Sequence, residues 1–232
     1  MTTAILLLAG TSERFNHQTL KQYTKINNKE VYKYSLERLV NCSHVDNILL
    51  VINKESFLDV KNEIEAFDYH KKIFYCQGGL SRQESVFNAL SYIKENLPAE
   101  NIIIHDSARP LADSKLFVNV INSLKYHDSV TCAIDVFDTL TFTNNKVFIG
   151  HYLKRDNFMK IQTPQGFKFD IIYKAHLKAR ENKFFNASDD SFLVSNLKEK
   201  VYYESGSPAN IKITTADDLI MVSSLLKEQY GF

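Results

Sequence analysis

Short apolar runs recur along the first half of the chain, separated by longer stretches whose apolar residues return at helical spacing. The runs at 4–8, 48–52, 73–76, 102–105 and 130–134 are brief and nearly continuous, the signature of strands covered on both faces. Between them, residues 31–40, 56–67, 81–96 and 113–126 carry one apolar stripe each and predict amphipathic helices. Strand and helix in strict turn predict an α/β fold: a mostly parallel sheet with helices on both faces. The pattern breaks after Asp135. Residues 136–162 are rich in Thr, Asn, Phe and Tyr, lose the helical period and contain an Asn144-Asn145 turn, which predicts a β-arm projecting from the domain. Beyond it come a helix at 169–181, a short helix from about Ser188, strands at 201–204 and 210–214, and a closing helix at 216–230. Thr215 with Asp218 marks the start of that last helix. With no repeat, low-complexity tract or Pro/Gly linker, residues 1–232 read as one domain carrying an arm.

Sheets of this kind bind ligands at the carboxyl ends of their strands. Leu8-Ala9-Gly10-Thr11 opens a loop of small residues there, followed by Arg14 and by Lys21-Gln22-Tyr23. Such a loop can aim backbone N–H groups at phosphate while the cations add charge. It matches neither G-x-G-x-x-G nor G-x-x-x-x-G-K-[ST], and an ordinary loop with two solvated cations is the alternative. After the third strand, Gly78-Gly79 permits close approach of a ligand or simply a tight turn, with Ser81 capping the next helix and Arg82 and Ser85 in its first turn.

His105-Asp106-Ser107-Ala108-Arg109-Pro110 ends a central strand. A carboxylate at Asp106 can hold Mg²⁺ directly or through water, and Arg109 can grip a phosphate; an Asp–Arg ion pair bracing the loop is the competing reading. His105 reads as a packed, hydrogen-bonded histidine. Thr163 lies where the arm returns to the domain. Ser188-Asp189-Asp190 reads as a helix N-cap with acids in the first turn. Lys212, within an apolar stretch, either faces inward toward an anion or lies on a solvated face.

Composition narrows the field. The formal net charge is +1, which gives no general attraction to nucleic acid or to an anionic membrane. No apolar run approaches the roughly 20 residues of a membrane span, and the start has no basic stretch or small-residue cleavage site, so a cytoplasmic protein is expected. Cys42, Cys76 and Cys132 lack metal-binding spacing and read as reduced thiols. None of the seven histidines forms a zinc-binding pair.

In their order, AG-x-x-x-R, KQY, GG-x-x-R-x-x-S, HD-x-ARP, TPQ-x-F, SDD and NIKIT closely resemble the 2-C-methyl-D-erythritol 4-phosphate cytidylyltransferases of non-mevalonate isoprenoid synthesis, from Ala4 to about Leu219. A sister group acts on ribitol 5-phosphate and commonly reads HD-x-VRPF; HDSARPL here favours the methylerythritol acceptor. The resemblance implies a Rossmann-like nucleotidyltransferase that joins CTP to the acceptor phosphate with Mg²⁺ and releases pyrophosphate, working as a homodimer through its arms. It implies Arg14, Lys21 and Lys212 as catalytic cations. Leu8, Ala9, Gly10, Thr11, Gly78, Gly79, Arg82, Ser85 and Asp106 would bind nucleotide, with Asp106 also supporting the metal. Arg109, Thr163 and Ser188 would hold the acceptor, joined by Thr139 and Arg155 of the partner's arm. Thr11-Ser12, Leu20, Leu8 and Leu80 depart from the family pattern, at positions where backbone contacts survive. A ribitol-type acceptor and an inactive nucleotide-binding relative are the alternatives; a dinucleotide-dependent dehydrogenase is contradicted by the missing glycine fingerprint.

Overall fold

The computed structural model describes residues 1–10 and 20–231. The chain begins with β1 (Thr2–Leu7), a small hairpin of β2 (Lys25–Ile26) and β3 (Lys29–Glu30), α1 (Val31–Val40) and β4 (Asn47–Ile52). It continues through α2 (Phe57–Glu65), β5 (Lys72–Gln77), α3 (Arg82–Asn96), β6 (Asn101–Asp106), α4 (Ser114–Ser123) and β7 (Ser129–Asp135). The arm carries β8 (Leu140–Thr141) and β9 (Tyr152–Leu153), after which come β10 (Met159–Lys168), α5 (Phe169–Glu181), α6 (Asp190–Asn196), β11 (Tyr202–Ser205) and α7 (Ala216–Tyr230).

Seven strands form one sheet in the order β11-β7-β10-β6-β1-β4-β5. β10 alone runs against its two neighbours, β6 and β7; the other pairings are parallel. Alternation along the strands divides the core. Ala4, Leu6 and Leu8 face a layer containing Tyr32, Leu36, Val60 and Phe117, from α1, α2 and α4. Ile5 and Leu7 face a layer containing Val86, Leu90, Ile172 and Leu193, from α3, α5 and α6. Side chains on both faces are out of water, which explains the unbroken apolar runs. Helix starts are fixed by side-chain caps: Ser81 accepts from the amide of Glu84, Asp113 from Leu116 and Asp189 from Phe192.

Two expectations are corrected. Residues 210–214 are not a strand; they run without a sheet partner, and the amide of Ile213 donates to the carbonyl of Ala108 at 2.9 Å. Their apolar alternation is satisfied instead by burial of Ile213 with Val222 and Leu226 of α7. The arm is also shorter than 136–162, since Met159, Lys160, Ile161 and Gln162 already pair with β7 in the main sheet. The hairpin itself is present, β8 paired antiparallel with β9.

Candidate active site

A cleft of about 370 Å³ opens at the carboxyl ends of β1 and β6 and the amino end of α3. Ala9, Gly10, Lys21, Ser81, Arg82, Ser85, Asp106, Ser188 and Lys212 are among its walls. Its first wall is the loop after β1. Gln22 is buried, and its Nε2 donates to the carbonyls of Leu8 (2.7 Å) and Gly10 (3.0 Å), anchoring the short turn that carries Lys21. Leu8 itself lies in the core with its amide donating to Val51. Thr11 and Arg14 lie outside the described residues.

The second wall is the glycine loop ahead of α3. A Cβ at Gly78 would stand 2.3 Å from the Cβ of Ala9, so the two loops touch only because a side chain is absent there. At Gly79 it would stand 2.3 Å from Cγ of Glu84. Ser85 Oγ accepts from the amide of Gly79 (3.0 Å) and donates to the carbonyl of Ser81 (2.9 Å), folding the loop back over the helix start. Leu80 stands at the rim, 96% exposed.

Asp106 forms the floor. Its Oδ1 accepts from Arg82 Nε at 3.0 Å and its Oδ2 from Lys212 Nζ at 2.7 Å, with Arg109 Nε 3.9 Å away. Burial alone would push this carboxyl up, but the charges of Arg82, Lys212 and Arg109 outweigh burial and hold it well below its ordinary value. On the other side of Arg82, Nη1 donates to Asp190 Oδ2 at 2.7 Å. Three cations thus meet two carboxylates, and the floor keeps an excess of positive charge suited to a polyanion.

Lys212 faces inward, one of the two alternatives the sequence leaves open. Asp106 likewise pairs with Arg109 only loosely, its close partners being Arg82 and Lys212. Arg109 sits behind the floor; its Nη1 donates to the carbonyl of Asn210 at 2.7 Å, and its Nε is buried without a hydrogen-bond partner. Thr163 Oγ1 accepts from the amide of Asp106 (3.1 Å) and meets His105 Nδ1 at 3.0 Å, so it braces the strand end. His105 is packed as expected, edge-on to Phe117, and burial pushes its imidazole down to about 3. Thr139 and Arg155 lie on the arm, away from this cleft; Arg155 Nη1 donates to the carbonyl of Phe137.

Among the described residues no group of three or more His, Cys, Asp or Glu could enclose a metal ion. Among the described residues lining the cleft, Asp106 is the only carboxylate. That donor set fits Mg²⁺ held mainly by a nucleotide's phosphate oxygens, because this ion keeps few protein ligands and favours one or two carboxylates. Gln22, which anchors the loop after β1, and Asp190 and His176, bonded to each other behind Arg82, are not singled out by the sequence. Gln22 lies within KQY; Asp190 looked like any first-turn acid.

The profile of the family described as IspD, 2-C-methyl-D-erythritol 4-phosphate cytidylyltransferase, matches residues 2–228. The enzyme of that name from Clostridium novyi is 33% identical over 225 residues, 97% of this chain and 96% of the relative. That from Bacillus cytotoxicus is 32% identical over 230 residues, 99% of each chain. The crystal structure of 4-diphosphocytidyl-2C-methyl-D-erythritol synthase from Anaerococcus prevotii superposes with a TM-score of 0.83 at 29% identity, covering 97% of this chain and 96% of that one. A cationic cleft at the strand ends, a full-length match to the family profile and relatives of equal length agree, and the chain belongs to the 2-C-methyl-D-erythritol 4-phosphate cytidylyltransferase family.

Proposed function

We propose that this chain transfers the cytidylyl group of CTP to 2-C-methyl-D-erythritol 4-phosphate and releases pyrophosphate. The observation that carries the reading is the Asp106 floor, where Arg82, Lys212 and Arg109 converge beside a glycine loop and a strand-end loop. An acceptor phosphate oxygen attacks the α-phosphorus, the bond from that phosphorus to the bridging oxygen breaks, and pyrophosphate leaves with the electron pair. A phosphate monoester has a second pKa of about 6 and is largely deprotonated at neutral pH, so the nucleophile needs no general base. What it needs is positive charge between two approaching polyanions and an in-line arrangement.

Lys21 supplies that charge from the wall and Lys212 from the floor, Arg14 is a third cation, and the amides of Ala9 and Gly10 with Gly78 and Gly79 enclose the nucleotide. Ser188 takes the acceptor's phosphate with the charge of Arg109 behind the floor, Thr163 holds the floor in register, and Ser85 shapes the loop around the base. Mg²⁺ supported by Asp106 would neutralise charge on the triphosphate. The working form is a homodimer in which Thr139 and Arg155 on the arm reach the neighbouring subunit's acceptor pocket. The protein acts in the cytoplasm; no described helix is long and apolar enough to cross a membrane.

The test is pyrophosphate release by the purified chain with CTP and Mg²⁺, comparing methylerythritol phosphate with ribitol 5-phosphate. Turnover confined to the first supports the reading; turnover confined to ribitol phosphate overturns the acceptor. Replacing Lys212 with alanine lowers kcat/KM by roughly 10²-fold, about 3 kcal/mol of transition-state stabilisation. An alanine variant with wild-type kcat/KM would remove Lys212 from the mechanism.

A further inference from the structure

Arg82 belongs to two carboxylates at once. It is the first residue of α3, and its Nε bonds Asp106 at 3.0 Å while its Nη1 bonds Asp190 at 2.7 Å. Asp190 is the first residue of α6, and its side chain is 1% exposed. Both carboxylate oxygens and the amide of Asp190 are engaged: Oδ2 accepts from Arg82, Oδ1 meets His176 Nε2 at 3.0 Å, and the amide donates to Gln165 Oε1 at 3.2 Å. His176 lies inside α5, also 1% exposed, flanked by Phe87, and its Nδ1 finds no hydrogen-bond partner. A buried polar row therefore runs from the core of α5 to the floor of the cleft.

A buried aspartate held between an active-site arginine and a buried histidine is costly to keep for packing alone, since an apolar replacement of similar size often serves stability as well. What it does here is geometric. With Asp106 as its sole anion, a guanidinium would turn to grip both carboxylate oxygens in the two-pronged fashion that arginine favours. Lys212 would then lose Oδ2. Asp190 draws one edge of Arg82 away, leaving Oδ1 to Arg82 and Oδ2 to Lys212. The same bond ties the start of α3, which follows the glycine loop, to the start of α6, two residues after Ser188.

We propose that Asp190, oriented by His176, is a positioning residue that holds Arg82 across the cleft, so that Lys212 stays on its own oxygen of Asp106 and the Ser188 loop stays docked against the nucleotide loop. This rests on the cytidylyl-transfer reading given above. Loss of Asp190's charge leaves the glycine loop and its Ser85 bonds in place, so nucleotide affinity survives while the acceptor side and the chemical step suffer.

The experiment combines steady-state kinetics of the full chain with calorimetric titration of CTP. Asp190→Asn is expected to lower kcat about tenfold and raise KM for the acceptor phosphate by a similar factor, while the CTP dissociation constant moves less than about threefold. In the double variant with Arg82→Gln, the loss should not exceed that of the worse single variant, because Asp190 acts only through Arg82. Should Asp190→Asn fail to fold, His176 carries the test: His176→Gln, which keeps a donor toward Asp190, retains activity within about twofold, and His176→Phe loses about tenfold. Multiplicative losses in the double variant, equal losses on CTP and acceptor, or His176→Phe matching wild type overturn the positioning role and leave the functional reading standing. A wild-type chain that turns over neither acceptor overturns the functional reading, and this inference with it.

Discussion

Gly78 shows how little room separates the loops after β1 and β5. Adding one methyl there places it against Ala9, whose own Cβ would be 2.3 Å away, so the loop after β1 must shift. Gly78→Ala is therefore expected to raise KM for CTP about tenfold or more while the chain still folds, which nucleotide titration alongside a thermal melt would read; an unchanged KM would show that the loops yield freely. His105 carries a pH dependence whose sign is fixed. Its folded value of about 3 lies below the ordinary 6.5, so the unfolded chain takes up the proton first. Its contribution to stability is complete above pH 6.5 and is lost as pH falls from there toward 3. Urea midpoints measured between pH 7 and 5 should fall, and fall less steeply in His105→Gln; parallel slopes would refute the assignment. At this scale the sequence exposes residues whose position implies a role, such as Asp106 at a strand end. It hides partners chosen by folding: Arg82 and Asp190 stand 108 residues apart, with no periodicity to join them.

Elements were legible where one physical signal dominated. The helix at Phe169–Glu181 has the predicted limits, and α3 starts at the Ser81 cap read from the sequence, whereas α6 is capped by Asp189, one residue after Ser188, and α4 by Asp113. Residues 210–214 misled because alternating apolar residues satisfy a strand or, equally, an extended segment buried under a helix. Here α7 supplies that cover and is itself fixed by a capping box, Thr215 accepting from the amide of Asp218 while the Asp218 carboxylate accepts from the amides of Thr214 and Thr215. Thr215→Ala should cost about 1 kcal/mol in denaturant titrations. Burial raises the Asp218 carboxyl, but hydrogen bonds from Thr214 and Thr215 outweigh it and leave its pKa below the ordinary 3.8. The cap therefore contributes in full above about pH 4 and weakens as pH falls further. Asp218→Asn should flatten the acid limb of the stability curve; an unaltered limb would deny the cap its charge.

For the molecule as a whole, alternation of strand and helix was enough to give the layered α/β architecture, whereas the antiparallel insertion of β10 between β6 and β7 was not: no local pattern distinguishes strand direction. That insertion leaves the arm between β7 and β10 with Phe137, Phe142, Val147, Phe148, Ile149 and Tyr152 exposed, a surface expected to be covered in a dimer. Sedimentation of the full chain should give twice the mass of one subunit. Replacing residues 138–156 by a short Gly/Ser linker should give single subunits that bind CTP yet turn over at least about tenfold more slowly; full turnover by such monomers would sever the arm from the chemistry. The extended run carrying Lys212 has one more consequence, for synthesis. Chains emerge amino end first and domains fold as they appear. The sheet's last strand is complete at Ser205, but the lysine facing Asp106 arrives later, and the helix that pins its segment later still. If Lys212 acts as proposed, a nascent chain that has not yet reached it would display the sheet and its strand-end loops without turnover. On the proposed mechanism, turnover begins only once Lys212 and α7 have left the ribosome.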